Sequence, residues 1–203
     1  MSFVARDLLL QVIGDHRPEL LEHTDQVAAL AAATARSLGL AGDVVQQIAQ
    51  AAELHDIGKV AIPHSVLSKP EPLSQDEWTV MRQHTVIGER MLSEAPELRP
   101  VAALVRSSHE RWDGAGYPDG LEGEEIPLGA RVVAVCDAFD AMTTNRPYRL
   151  RVARPAALAE LRRCAGTQFD PRVVQAFAHI LEREMAAAEQ TAGSQARPMT
   201  PAA

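Results

Sequence analysis

Apolar residues recur along this chain at helical spacing, and proline or glycine falls where those runs stop, which commits most of the sequence to α-helices. Leu20, Leu21, Val27, Leu30 and Ala31 share one such period, between Pro18, which suits a first turn, and Gly39, which can close the end. A helix is therefore expected over 18–38, and a second over about 43–55. Pro63, Pro70 and Pro72 break the pattern, leaving 57–73 as a connection with at most short helical turns. Ser74 and Glu77 then have capping-box spacing, and Leu73 and Trp78 are placed for a hydrophobic staple, so the next helix should run over 75–93. Further helices are expected over 97–107, 127–143 and 155–164, and over 171–188 behind an Asp170 cap. Only 4% of the residues are aromatic, and Ala, Leu and Val carry the apolar content, which favours close helix packing over a strand-rich sandwich. The expected class is all-α.

The interval between Glu110 and Leu128 is different in kind: it is rich in Gly, Pro and charge, and Pro118-Asp119-Gly120 is a turn signal. A loop of this length points to function rather than to simple connection. Residues 189–203 are polar with few apolar anchors and are expected to form a disordered tail, leaving 1–188 as one domain. The longest stretch without Asp, Glu, Lys or Arg is the ten residues from Gln26 to Ala35, well short of the roughly 20 needed to span a bilayer. The first ten residues carry Arg6 and Asp7 and no small-residue cleavage site, so they do not read as a signal peptide. A cytoplasmic protein without a membrane role is expected. Cys136 and Cys164 stand apart, with no Cys-x-x-Cys pair, and are assigned no chemistry. A net charge of −7 leaves no general footprint for duplex nucleic acid, so an anionic ligand requires a local basic site.

Histidines and carboxylates gather at the ends or inner faces of separate expected helices: His23, His55-Asp56, His84, His109 and Asp137. Imidazole with carboxylate suits Fe, Mn or Zn, and such ligands in helical proteins project inward from facing helices. Taken singly, each has a plainer reading. Asp137 lies in an otherwise apolar helix and could form a buried salt bridge. His84 could be a satisfied core histidine. Glu19 suits a first-turn acid favoured by the helix dipole as well as it suits a ligand.

Two segments, His55-Asp56-Ile57-Gly58-Lys59 and His109-Glu110-Arg111-Trp112-Asp113-Gly114-Ala115-Gly116-Tyr117-Pro118, resemble the signatures of the HD-GYP family, a branch of the HD superfamily of metal-dependent phosphohydrolases. The resemblance continues through Ile62-Pro63, Lys69-Pro70, Asp137 with Asp140-Ala141, Arg146-Pro147-Tyr148-Arg149 and Phe169-Asp170-Pro171. It implies an HD-superfamily helical bundle with a buried site of two or three divalent ions, Fe or Mn, and hydrolysis of cyclic di-GMP to linear pGpG and onward to GMP. By position, Glu19, His23, His55, Asp56, His84, His109 and Asp137 would be metal ligands, with Asp56 bridging two ions. Two ions side by side neutralise charge on phosphoryl oxygens and activate water near neutral pH. Lys59 would contact one phosphate, and Arg146 with Arg149 the other, through forked guanidinium donors. Tyr117 would either pack its loop or reach the ligand. The resemblance also implies that the Gly116-Tyr117-Pro118 loop can contact a GGDEF-domain protein, and that the protein can form a homodimer.

One position departs from the pattern. Where the family usually has His-His-Glu, this chain has Ser108-His109-Glu110, and a serine hydroxyl is a poor ligand for these metals. Two alternatives therefore stand beside the expected activity: an HD-type phosphohydrolase acting on another cyclic nucleotide or phosphoester, and an impaired module that binds cyclic di-GMP or a protein. At 203 residues the chain is expected to hold one HD-GYP-like unit without an attached sensor.

Overall fold

The computed structural model describes residues 3–16, 24–144 and 151–195. Among them the regular elements are helical, and the only β pairing is two isolated bridges, Asp113 with Glu122 and Ala165 with Phe169. The helices are α1 (Phe3–His16), α2 (Thr24–Ser37), α3 (Gly42–Leu54), α4 (His64–Leu67), α5 (Gln75–Ser93), α6 (Arg99–Arg106), α7 (Leu128–Thr143), α8 (Arg154–Arg163) and α9 (Pro171–Gln195). Short 3-10 turns occupy Ile57–Ala61, Pro96–Leu98 and Gly123–Glu125. No described helix is long and apolar enough to cross a membrane.

Among the described elements α2 and α3 make the most extensive helix contact, and both bury small residues that permit close approach, Ala31 and Ala35 on one and Ala51 and Ala52 on the other. α7 packs against α2, α3, α8 and α9 through Val132, Val135, Cys136 and Phe139. Phe139 meets Phe177 of α9 with ring centroids 4.9 Å apart at 60°, a tilted pairing that aromatic quadrupoles favour. α5 packs on α6 and on the 57–61 turn, so the C-terminal end of α3, the middle of α5 and the chain leaving α6 meet beside α7.

Element starts follow their local chemistry. At α5 the capping box forms: Glu77 N donates to Ser74 Oγ at 3.3 Å, and Ser74 N to the Glu77 carboxylate at 2.7 Å. Lys69 folds back onto the same carboxylate at 2.7 Å. Asp170 accepts from Arg172 N at 2.8 Å at the start of α9.

Several expectations need correction. α1 was not expected at all, since the first residues were read only for targeting signals. It is tied to α3 by a two-pronged Arg6–Glu53 ion pair at 2.5 and 2.6 Å, and its Ile13 is buried in the core. α9 continues to Gln195, past the expected end at 188, so the first part of the expected disordered tail is helical. Trp78, expected to staple the start of α5, is 42% exposed and also lines a cavity. Of the helix expected over 18–38, the structure describes Thr24–Ser37.

Candidate metal centre

Four segments converge. His55 and Asp56 end α3, His84 lies on the inner face of α5, His109 follows α6, and Asp137 sits in α7. What brings the first two together is glycine. Gly58, in the turn after Asp56, lies directly against the α5 backbone: a Cβ there would run into the His84 carbonyl oxygen and come within 2.7 Å of Gly88 N. Only a residue without a side chain permits that approach.

Asp56, His84 and His109 each bring one ligand atom within 4.8 Å of the others. Asp56 Oδ1, His84 Nε2 and His109 Nε2 are buried and have no hydrogen-bond partner among the described residues, although the first two lie 3.5 Å from each other. An unsatisfied buried polar atom costs roughly 1–3 kcal/mol, and native proteins seldom leave three together unless something else binds them. The second ring nitrogen of His84 is fixed by the Met81 carbonyl at 2.8 Å, and that of His55 by the Ala52 carbonyl at 2.7 Å. Both rings are thereby oriented from behind, the usual arrangement for metal-bound histidine. His55 Nε2 lies 3.6 Å from both Asp56 and Asp137.

The electrostatics sort the histidines into two kinds. Burial disfavours charge on His55, but Asp56 and Asp137 outweigh it and push its pKa up to about 9. Burial, reinforced by His84, pushes His109 down to about 4. Burial likewise lowers His84. His84 and His109 are therefore held neutral, the form in which imidazole binds a metal. Against the penalty of burial, Lys59 and His55 hold Asp56 well below the usual carboxylate range, and the nearby His55 ring lowers Asp137. Neutral imidazoles, anionic carboxylates and three orphaned ligand atoms fit a divalent ion.

Lys59 Nζ sits 2.6 Å from Asp56 Oδ2, so it neutralises the carboxylate oxygen that faces away from His84. Tyr117 stacks on His109, with centroids 5.2 Å apart and planes 14° from parallel. Ser108 is buried and its hydroxyl donates to the Val105 carbonyl at 2.8 Å, which spends its proton on the end of α6. Glu19, His23, Arg146 and Arg149 lie outside the described residues.

The loop that carries His109 and Tyr117 is held by residues that sequence reasoning did not single out. Glu110 is buried and accepts from Asp119 N at 2.7 Å and Gly120 N at 3.1 Å, closing the loop on itself. At Gly116 the returning chain presses on Glu110, whose Cα would be 2.5 Å from any added Cβ. Arg131 of α7 pairs with the buried Asp170 at 2.7 Å and lies 5.6 Å from the Trp112 ring centroid. Trp112 N and Asp113 N donate to Gln168 and Thr167 in the α8–α9 connection. The signal for Glu110 was its place inside the second motif; Arg131 carried none, because its partners are distant in sequence.

The HD domain family matches this chain over residues 7–173. A cyclic di-GMP phosphodiesterase of Thermotoga maritima is 41% identical over 180 residues, covering 87% of this chain and 49% of that protein. The cyclic di-GMP phosphodiesterase response regulator RpfG of Xanthomonas campestris is 48% identical over 159 residues, covering 77% of this chain and 41% of RpfG. This chain thus spans about half the length of these curated relatives or less. Among solved structures, an HDG"Y"P protein from Bdellovibrio bacteriovorus superposes with a TM-score of 0.65 at 21% identity, covering 80% of this chain and 52% of that one. That likeness concerns the fold.

Proposed function

The chain belongs to the HD domain family, and from that premise we propose that it is a metal-dependent phosphodiesterase that opens cyclic di-GMP to linear pGpG and carries the reaction on to GMP. The observation that carries this reading is the meeting of Asp56 Oδ1, His84 Nε2 and His109 Nε2, three buried ligand atoms without a hydrogen-bond partner among the described residues. His55 and Asp137 flank them, and with Glu19 and His23 they make a ligand set for two or three divalent ions, Fe or Mn. Bound there, such ions neutralise phosphoryl oxygens and make water a nucleophile at neutral pH.

The protein supplies the rest. Lys59 carries a compact charge on a flexible stem, already at the edge of the site, and offers it to a non-bridging phosphate oxygen. Arg146 and Arg149 hold the second phosphate of the ring. His55, whose pKa Asp56 and Asp137 push up to about 9, would hold an ion beside those carboxylates only as the neutral imidazole, so metal binding there would release its proton. Tyr117, stacked on His109, covers one face of that ring. The reading includes a cytoplasmic location and one catalytic domain over 1–188, with docking of a GGDEF-domain protein at Gly116-Tyr117-Pro118 and homodimer formation as its partner contacts.

The test is metal analysis of anaerobically purified protein together with turnover of cyclic di-GMP under reducing conditions. Near-stoichiometric metal and a linear product are expected; absence of both overturns the reading.

One observation favours a second reading. Because the Ser108 hydroxyl is committed to Val105, that position contributes no ligand, and the chain would then bind cyclic di-GMP or a protein with impaired turnover. Ser108→His separates the two. A large gain in turnover marks the present chain as impaired, and no change marks it as complete without that ligand. Exclusive turnover of cyclic di-GMP in a substrate panel would remove the remaining alternative, a different cyclic nucleotide or phosphoester.

A further inference from the structure

Between α5 and the Gly116-Tyr117-Pro118 loop lies an open cavity of about 290 Å³, with Trp78, Arg82 and Tyr117 in its lining next to His109 and Asp137. Its size is at the lower end for small-ligand sites, roughly 300–1,000 Å³, suited to one nucleoside rather than to a whole cyclic dinucleotide. Trp78 and Arg82 are four residues apart on α5 and so share a face. Trp78 exposes a large aromatic surface that the packing of the helices does not use. Arg82 is exposed and forms no ion pair with any described residue; its guanidinium carbon lies 5.3 Å from the Tyr117 ring centroid. The cavity therefore offers aromatic faces, a forked donor with its hydrogen bonds unspent, and direct continuity with the metal-ligand triad.

We propose that this cavity is a guanine-recognising subsite, in which Trp78 stacks on the base and Arg82 donates to its O6 and N7. The inference rests on the phosphodiesterase reading and adds the basis of its base selectivity. Stacking on Trp78 tolerates any base, since every base has a π-face. Selectivity comes from Arg82: guanine presents two acceptors to a guanidinium fork, whereas adenine places an amino donor where O6 would be. In an acidic chain, a cation left unpaired beside the candidate site is also the feature that a nucleotide ligand would need.

Calorimetric titration of the Mn-loaded full chain with 5′-GMP and 5′-AMP tests this without requiring turnover. GMP is expected to bind at least tenfold more tightly than AMP. Trp78→Ala should weaken both about tenfold, while Arg82→Gln should weaken GMP tenfold and leave AMP unchanged, with metal content equal in all three proteins. Equal affinity for the two nucleotides, no binding of either, insensitivity to Trp78→Ala, or an Arg82→Gln loss shared equally by AMP, which marks a phosphate contact, overturns the proposal. Selective GMP binding without hydrolysis of cyclic di-GMP would count against the phosphodiesterase reading alone. Hydrolysis with KM unchanged in both variants would count against the subsite alone.

Discussion

Gly58 rests on the backbone of His84, so close that a side chain at 58 would occupy the space of the His84 carbonyl oxygen. The contact locks the end of α3, with His55 and Asp56, to the middle of α5. Backbone cannot move aside as a flexible side chain does, so Gly58→Ala must displace the turn or the helix and with it the distance between Asp56 and His84. The expected outcome is at least a tenfold loss of metal affinity, with a fall in melting temperature. Gly88→Ala is the control, since its added Cβ meets side-chain methyl groups first, Val105 at 3.0 Å and Ile57 at 3.2 Å, and reaches backbone, Gly58 N, only at an ordinary contact distance of 3.5 Å. Metal titration and thermal unfolding of the two variants should rank Gly58 well above Gly88.

Arg131 and Asp170 form the buried pair that anchors the metal loop from behind, with Trp112 beside the guanidinium. Removing one partner of a buried pair leaves an uncompensated charge and costs about 3–5 kcal/mol. Asp170→Ala also removes the cap of α9. Denaturant unfolding should place Asp170→Ala at the upper end of that range and Arg131→Met below it. Arg131→Met retains the cap and tests whether the pair alone holds the loop: slower proteolysis of residues 111–122 than in Asp170→Ala is expected.

Much of the fold and part of the site were legible because they rest on local chemistry. The Ser74–Glu77 box, the Asp170 cap and the proline-broken connection are near-neighbour effects, and each formed within a residue or two of its expected place. The His55-Asp56 pair and His109 stood in recognisable motifs. What escaped depended on contacts distant in sequence. α1 has little amphipathic signal of its own and is fixed by Arg6–Glu53, 47 positions apart. The clamp of Arg131 on Asp170 spans 39 positions, and the fit of Gly58 against His84 is a matter of backbone approach that no residue pattern announces. The spacing of Trp78 from Leu73 likewise said nothing of the cavity beside α5, which its partly exposed ring lines.

Glu110 tests how far the loop depends on one carboxyl group. Its Oε1 accepts from two successive amides, Asp119 and Gly120. Glu110→Gln keeps an acceptor and is expected to retain the loop, whereas Glu110→Ala leaves both amides unpaired, at roughly 1–3 kcal/mol each where they are buried. Hydrogen exchange at 119 and 120 should rise at least tenfold in the alanine variant and stay near wild type in the glutamine variant. Equal exchange in both would place the loop's order elsewhere.

The metal triad stores a cost that a substitution can expose. His109 Nε2 is buried without a hydrogen-bond partner among the described residues, while its ring stacks on Tyr117 and meets His84 edge-on at 4.9 Å. Phenylalanine at 109 keeps a ring for both contacts and removes the orphaned nitrogen, so His109→Phe should stabilise the metal-free protein by about 1–3 kcal/mol. For a chain of this size each kcal/mol corresponds to roughly 2–4 °C in melting temperature. The same change deletes a ligand. Wild type should gain about 2.7 kcal/mol of stability when free Mn reaches a hundred times its dissociation constant, and lose it again on chelation. His109→Phe should start higher and gain little. Melting curves of both proteins, with chelator and then with excess Mn, check the expected crossing; a variant less stable than wild type without metal would mean that the nitrogen is satisfied in solution and that the triad carries no such cost.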